Sequence, residues 1–156
     1  MMSYRFLEEI ATADVAFEAT GKTPEELFIS AAEALEETQV NTKQLANSEQ
    51  RAVNLENETL DKLLFDFLDE LIYYKDAEQL VFNKFDIEIQ ASEGGFASDR
   101  EIASKDIKWR LKGVIAGEKL DPNRHELRTD VKAVTKHQFG IQKTKEGYKA
   151  TVVLDI

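Results

Sequence analysis

The sequence predicts an α+β fold in a single domain: two helices packed on a largely antiparallel or mixed β-sheet. Three observations predict it. Residues 27–35 and 60–72 carry apolar side chains at three- and four-residue steps. Four later segments, starting at Val81, Ile107, Val131 and Tyr148, alternate with period two. No internal repeat or linker divides the 156 residues, a length that suits one hydrophobic core.

Residues 4–10 are short and mixed and read as an edge strand or a lead-in. Residues 14–20 alternate, with Val15, Phe17 and Ala19 on one side and Asp14, Ala16 and Glu18 on the other; Gly21 ends this half-buried strand. Thr23-Pro24-Glu25-Glu26 starts the first helix. Thr23 caps it, Pro24 fits the first position, where an N–H would be unpaired anyway, and Glu26 completes a capping box. The stripe Leu27, Phe28, Ala31, Ala32 and Leu35 fades near Thr38, and residues 40–50 read as a polar loop. Residues 52–56 form a short strand. Thr59 opens the second helix, residues 60–78, with Leu60, Leu63, Leu64, Phe67, Leu68, Leu71 and Ile72 on its core face and Asp61, Asp66, Asp69 and Glu70 opposite.

From Val81, Phe85, Ile87 and Ile89 alternate with Asp86, Glu88 and Gln90, and Glu93-Gly94-Gly95 predicts a hairpin turn. The next strand sets Ile107, Trp109 and Leu111 against a basic stripe, Lys108, Arg110 and Lys112; Gly113 and Gly117 bend or end it. A polar loop from Leu120 to Thr129 leads into residues 131–141. There Val131, Ala133, Thr135, His137, Phe139 and Ile141 take one side and Lys132, Val134, Lys136 and Gln138 the other. The turn Lys145-Glu146-Gly147 precedes a last strand, residues 148–156.

Composition excludes several functions. With 20 basic and 30 acidic residues the formal charge is −10, which disfavours phosphate backbones and favours a metal cation or a protein partner. No apolar run approaches the roughly 18 residues of a membrane span. The first residues carry acids and lack the apolar stretch of a signal peptide, and no cysteine is present. A cytoplasmic location is the expectation. No GxSxG, P-loop, HExxH or nucleophilic cysteine occurs, so an autonomous enzyme is hard to assemble.

Three polar residues interrupt strand-like runs: Asp14, Lys132 and Asp155. By parity each points away from its strand's apolar set. If the strands are neighbours, two carboxylates and an ammonium converge, with Ile156 adding a terminal carboxylate. Such oxygen donors suit Ca²⁺ or Mg²⁺; three polar residues on a solvated face are the plain alternative. His137, on the apolar side, reads as a hydrogen-bonded core residue, and His125 as a ligand, a base or a loop cap.

Four blocks carry a family resemblance: Thr12-Ala13-Asp14-Val15 with Gly21-Lys22-Thr23; the second helix with Phe82-Asn83-Lys84-Phe85; Asp121-Pro122 and Arg124-His125 with Val131-Lys132-Ala133-Val134-Thr135 and His137; and Val153-Leu154-Asp155-Ile156. In this order and spacing the chain resembles the archease family over nearly its whole length. The resemblance implies an accessory protein of a GTP-dependent RNA ligase in tRNA splicing and RNA repair, one that promotes ligase guanylylation and repeated turnover without being the ligase. It implies a metal site at Asp14 and Asp155, with the Ile156 carboxylate, and a functional lysine at Lys132. It departs from the family at Ala11, where a histidine is usual, and at Lys136, where an aromatic is usual. The alternatives are a metal-dependent phosphohydrolase using Asp14, Asp155, His125 and His137, and a metal-free chaperone or interaction module.

Overall fold

The computed structural model describes residues 2–7, 14–93 and 107–156. Among them, in chain order, are β1 (Ser3–Phe6), β2 (Asp14–Gly21), α1 (Pro24–Gln39), a 3-10 turn (Thr42–Gln44), β3 (Glu49–Asn57), α2 (Leu60–Glu78), β4 (Leu80–Glu93), β5 (Ile107–Lys119), β6 (Ala133–Thr144) and β7 (Gly147–Asp155). The expected turn at Gly94-Gly95, the departure at Ala11 and the Thr12-Ala13 pair lie outside the described residues.

Both helices begin where local chemistry directs. The Thr23 hydroxyl accepts the Glu26 N–H at 3.2 Å, and the Glu26 carboxylate reaches back past the cap to accept the Lys22 N–H at 3.0 Å, one residue earlier than in the expected capping box. The Thr59 hydroxyl accepts the Lys62 N–H at 3.1 Å, and α2 ends at Gln79, whose φ of 57° is left-handed. The side chains of Leu63, Leu64, Phe67, Leu68 and Leu71 on α2 are fully buried. Each contributes about 2 kcal/mol, so Leu68→Ala alone costs about 3 kcal/mol.

The strands form two sheets, where one was expected. One has the order β1-β2-β7-β6, the other β3-β5-β4, and every pairing is antiparallel. The helices join them: α1 touches β1, β2 and β7 of the first sheet and β4 of the second, and α2 touches β6 of the first and β3, β4 and β5 of the second. This explains why α1 is buried well beyond its stripe, at Ser30, Ala34, Glu36, Thr38 and Gln39 as well. Phe28 of α1 stacks on Phe67 of α2 at 6.0 Å between ring centroids.

Three sequence expectations are corrected, and the basic stripe stays on a solvated face. Residues 40–50 are not a plain polar loop: Val40 is fully buried and bridges to Leu127, and Leu45 is buried beside it. Gly113 and Gly117 do not end β5, which continues to Lys119; a Cβ at Gly117 would meet the Val81 carbonyl at 1.8 Å, so these glycines let β4 and β5 approach. The basic stripe is balanced across the sheet, because Lys112 lies between Asn54 and Glu88 and Arg110 pairs with Glu56 at 2.6 Å. The alternation over 131–141 fails. The strand begins at Ala133, and the β6–β7 register breaks between Thr135 and Gly140, where Gln138 has φ 55°. Val134, expected on the polar side, is buried, while His137, expected in the core, is exposed.

Candidate functional site

The predicted convergence of strands is present. In the register of β2 with β7, Val15 faces Leu154 and Phe17 faces Val152, all turned to the core, which turns Asp14 and its direct partner Asp155 to the outer face. Ala133 of β6 is the partner of Asp155 on its other side. Next along the two strands on the same face is the pair Ala16 and Val153, 2% and 1% exposed, so the acids stand at the edge of buried apolar surface. Directly opposed side chains of this kind stand about 5 Å apart at Cβ, and like charges there repel. Among the described residues neither aspartate has an ion-pair or hydrogen-bond partner for its side chain.

Lys132 reaches this place by another route than strand parity. It precedes β6, and Ala133 holds the cross-strand position that parity assigned to it. Its backbone N–H donates to the Asp155 carbonyl at 2.8 Å, and its side chain is exposed. The Ile156 side chain packs against the main core. Among the described residues no group of three or more His, Cys, Asp or Glu is arranged so that it could hold a metal ion. A cation here would draw on Asp14 and Asp155 and complete its shell with water or phosphate. Paired hard oxygens without a counter-ion fit Ca²⁺ or Mg²⁺.

His125 is placed elsewhere. It is buried, its Nδ1 accepts the Asp121 N–H at 2.9 Å, and its Nε2 lies 2.8 Å from Glu118 Oε1. With Nδ1 accepting, Nε2 carries the proton and donates, so no lone pair remains for a metal or for base catalysis. Of its three sequence readings the loop cap is the one the contacts support. Glu118 also accepts from Arg124, at 2.5 and 3.1 Å, and from the Ala46 N–H at 2.9 Å. The Arg124 guanidinium, then the Ala46 amide and His125, hold the Glu118 carboxyl down at about 2 against the opposing effect of burial. This knot ties the chain from Asp121 onward to β5 and to the segment after the 3-10 turn.

From there the chain runs along the end of α1. The Asn41 N–H donates to the Glu126 carbonyl at 3.0 Å, and the N–H groups of Arg128 and Thr129 donate to the carbonyls of Gln39 and Thr38 at 2.9 and 3.0 Å. These bonds satisfy carbonyls that a helix end leaves open. Lys75 of α2, 6% exposed, then donates to the Val131 carbonyl at 2.9 Å and pairs with Asp130 and Asp76. Burial pulls its ammonium pKa down, but the bonds to the two aspartates outweigh this and leave it raised. Near it Glu36, fully buried, accepts the Phe82 N–H at 2.8 Å and the Gln39 amide at 2.7 Å. Burial pushes its carboxyl up to about 8, with these bonds and the Lys75 charge pulling back.

Sequence reasoning passed over Lys75, Glu118 and Glu36. Lys75 carried a signal, since it falls three and four residues after Ile72 and Leu71 on the apolar stripe. Glu118, in a polar strand end, and Glu36, on a helix buried well beyond its apolar stripe, carried none.

The fold and site define a small two-sheet α+β domain. An uncompensated acidic pair stands at a strand end, and no nucleophile–base pair accompanies it among the described residues. The Archease protein family model matches residues 4–156, and the chain belongs to that family. It is 37% identical to the protein archease of Methanosarcina mazei over 153 residues, covering 98% of this chain and 95% of that one. It is 38% identical to that of Pyrococcus abyssi over 146 residues, covering 93% and 94%. The solution structure of a Methanobacterium thermoautotrophicum protein matches with a TM-score of 0.77 and 34% identity over 98% of each chain. The crystal structure of an archease of Thermotoga maritima matches in fold, with a TM-score of 0.55 and 22% identity over 94% and 93%. No described helix is long and apolar enough to cross a membrane.

Proposed function

We propose that this archease is a cytoplasmic accessory factor of a GTP-dependent RNA ligase acting in tRNA splicing or RNA repair, and that it promotes ligase guanylylation and multiple turnover. The observation that carries this reading is the in-register pair Asp14–Asp155, free of a counter-ion among the described residues, with the Lys132 backbone bonded to Asp155. Asp14, Asp155 and the Ile156 carboxylate hold a divalent cation. When bound, that cation supplies positive charge to phosphate oxygens of a nucleotide. The two aspartates orient toward the partner's nucleotide site, and Lys132 adds a mobile ammonium beside them that pairs with a phosphate oxygen as a point charge. The acidic surface makes the partner a protein, with little direct contact to RNA.

Multiple-turnover RNA joining by the cognate ligase, with and without this protein, tests the reading. Wild type is expected to raise the number of turnovers, and Lys132→Ala and Asp155→Ala to lose that effect. Equal stimulation by both variants would remove the site. The phosphohydrolase alternative is less well supported, because both ring nitrogens of His125 are engaged.

A further inference from the structure

We propose that Lys75 is a positioning residue: from the end of α2 it sets the place of Lys132, and it is the reason this exposed lysine stands beside Asp155. The proposal rests on the reading of Lys132 given above.

Lys75 is 6% exposed as a residue, and an ammonium carried into such surroundings gives up hydration, a loss that strong acceptors offset. Lys75 has three protons and three acceptors: the Asp130 carboxylate, the Asp76 carboxylate at 2.6 Å and the Val131 carbonyl at 2.9 Å. Asp76 is its neighbour on the helix and does nothing for position. Asp130 and the Val131 carbonyl are the two groups immediately before Lys132. They lie ahead of β6, where no ladder bond holds the chain.

The next anchor is the Lys132 N–H, bonded to the Asp155 carbonyl at 2.8 Å. The Val131 side chain between these anchors is fully buried. The peptide that enters Lys132 is therefore fixed at its carbonyl by α2 and at its N–H by β7. Only the side chain beyond is free. Removing the Lys75 ammonium leaves Asp130, itself mostly exposed, to turn to solvent, and leaves the Val131 carbonyl without its donor. The peptide entering residue 132 then keeps its bond to Asp155 and loses the one to α2. A purely structural role as a helix-end cation predicts a different pattern, because a lysine that only complements the helix dipole needs no acceptor outside the helix.

The test uses the full chain and compares Lys75→Met with Lys75→Arg. Amide hydrogen exchange, resolved by NMR, reads the Lys132–Asp155 bond directly. Expected for Lys75→Met is roughly tenfold faster exchange at Lys132, with the α2 core amides unchanged and recovery in Lys75→Arg. In ligation, stimulation at saturating protein falls while the half-maximal concentration holds. If Lys75→Met fails to fold, Asp130→Asn replaces it with the same expectations. Unchanged exchange at Lys132 in a folded variant overturns the proposal, as does a shift confined to the half-maximal concentration. Faster exchange together with full ligase stimulation by Lys132→Ala supports the positioning and instead removes the function assigned to Lys132.

Discussion

Glu118 and the pair Asp14–Asp155 are acids on strands of the same molecule, and they are treated in opposite ways. Glu118 receives Arg124, His125 and the Ala46 N–H, and its carboxyl is held at about 2. Asp14 and Asp155 stand side by side with no partner for either side chain among the described residues. A nearly buried carboxylate with four donor contacts is bound into the fold and has nothing left to offer a ligand. Two adjacent carboxylates with their lone pairs open are a cost to the fold. The difference separates charges that hold the chain from charges that the chain holds ready.

The largest expected break in this comparison is functional. Asp14→Asn should lower ligase stimulation by roughly tenfold or more while the thermal melt holds or rises by about 1–2 °C, since no fold contact is removed and one repulsion is relieved. Multiple-turnover joining and a melt on the same sample check both halves. Glu118→Ala should do the reverse. It leaves the Arg124 guanidinium, the His125 N–H and the Ala46 N–H without their acceptor, and should lower the melting temperature by roughly 5 °C or more while folded protein still stimulates the ligase.

A smaller effect is read by pH. The folded Glu118 carboxyl is depressed from 4.5 to about 2, so its stabilisation is complete above pH 4.5 and is lost as pH falls toward 2. Glu36 runs the other way. Its carboxyl is raised from 4.5 to about 8, so its contribution is complete below pH 4.5 and is lost as pH rises to 8. Urea midpoints measured across that range should fall on the alkaline side for wild type and be flatter for Glu36→Gln, which keeps the acceptor for Phe82. A slope unchanged in Glu36→Gln would show that another group titrates there.

The smallest effect is at the acidic pair itself. Without divalent cation, Asp155→Asn should gain about 0.5 kcal/mol by relieving the cross-strand repulsion. Ca²⁺ or Mg²⁺ should raise the melting temperature of wild type but not of Asp155→Asn. Equal shifts in both proteins would place the cation elsewhere.

Much of the fold was legible because its signals are local. The bounds of α2 follow from the Thr59 cap and the run from Leu60 to Glu78, and α1 from Thr23-Pro24-Glu25-Glu26. The acids of the candidate site were legible through parity, since Val15 and Leu154 had to face inward. Strand parity does not hold at Lys132 and His137, for one reason. Period two holds only while a ladder is regular, and β6 starts one residue after Lys132 and breaks its register between Thr135 and Gly140. The pattern in the residues continues through both places, but the hydrogen bonding does not.

By itself, then, the sequence determined where helices start, which strand faces are apolar outside β6, the acidic charge and, through its motif blocks, the family. Tertiary structure alone decided that there are two sheets with the helices joining them, that Asp14 at one end of the chain pairs with Asp155 at the other, that His125 is locked onto Glu118, and that Lys75 holds the entry to Lys132. The physical reason is range. Caps and periodicities are set by residues a few positions apart, whereas the partner of a buried charge or the register of a strand depends on surfaces that meet only when the chain has folded.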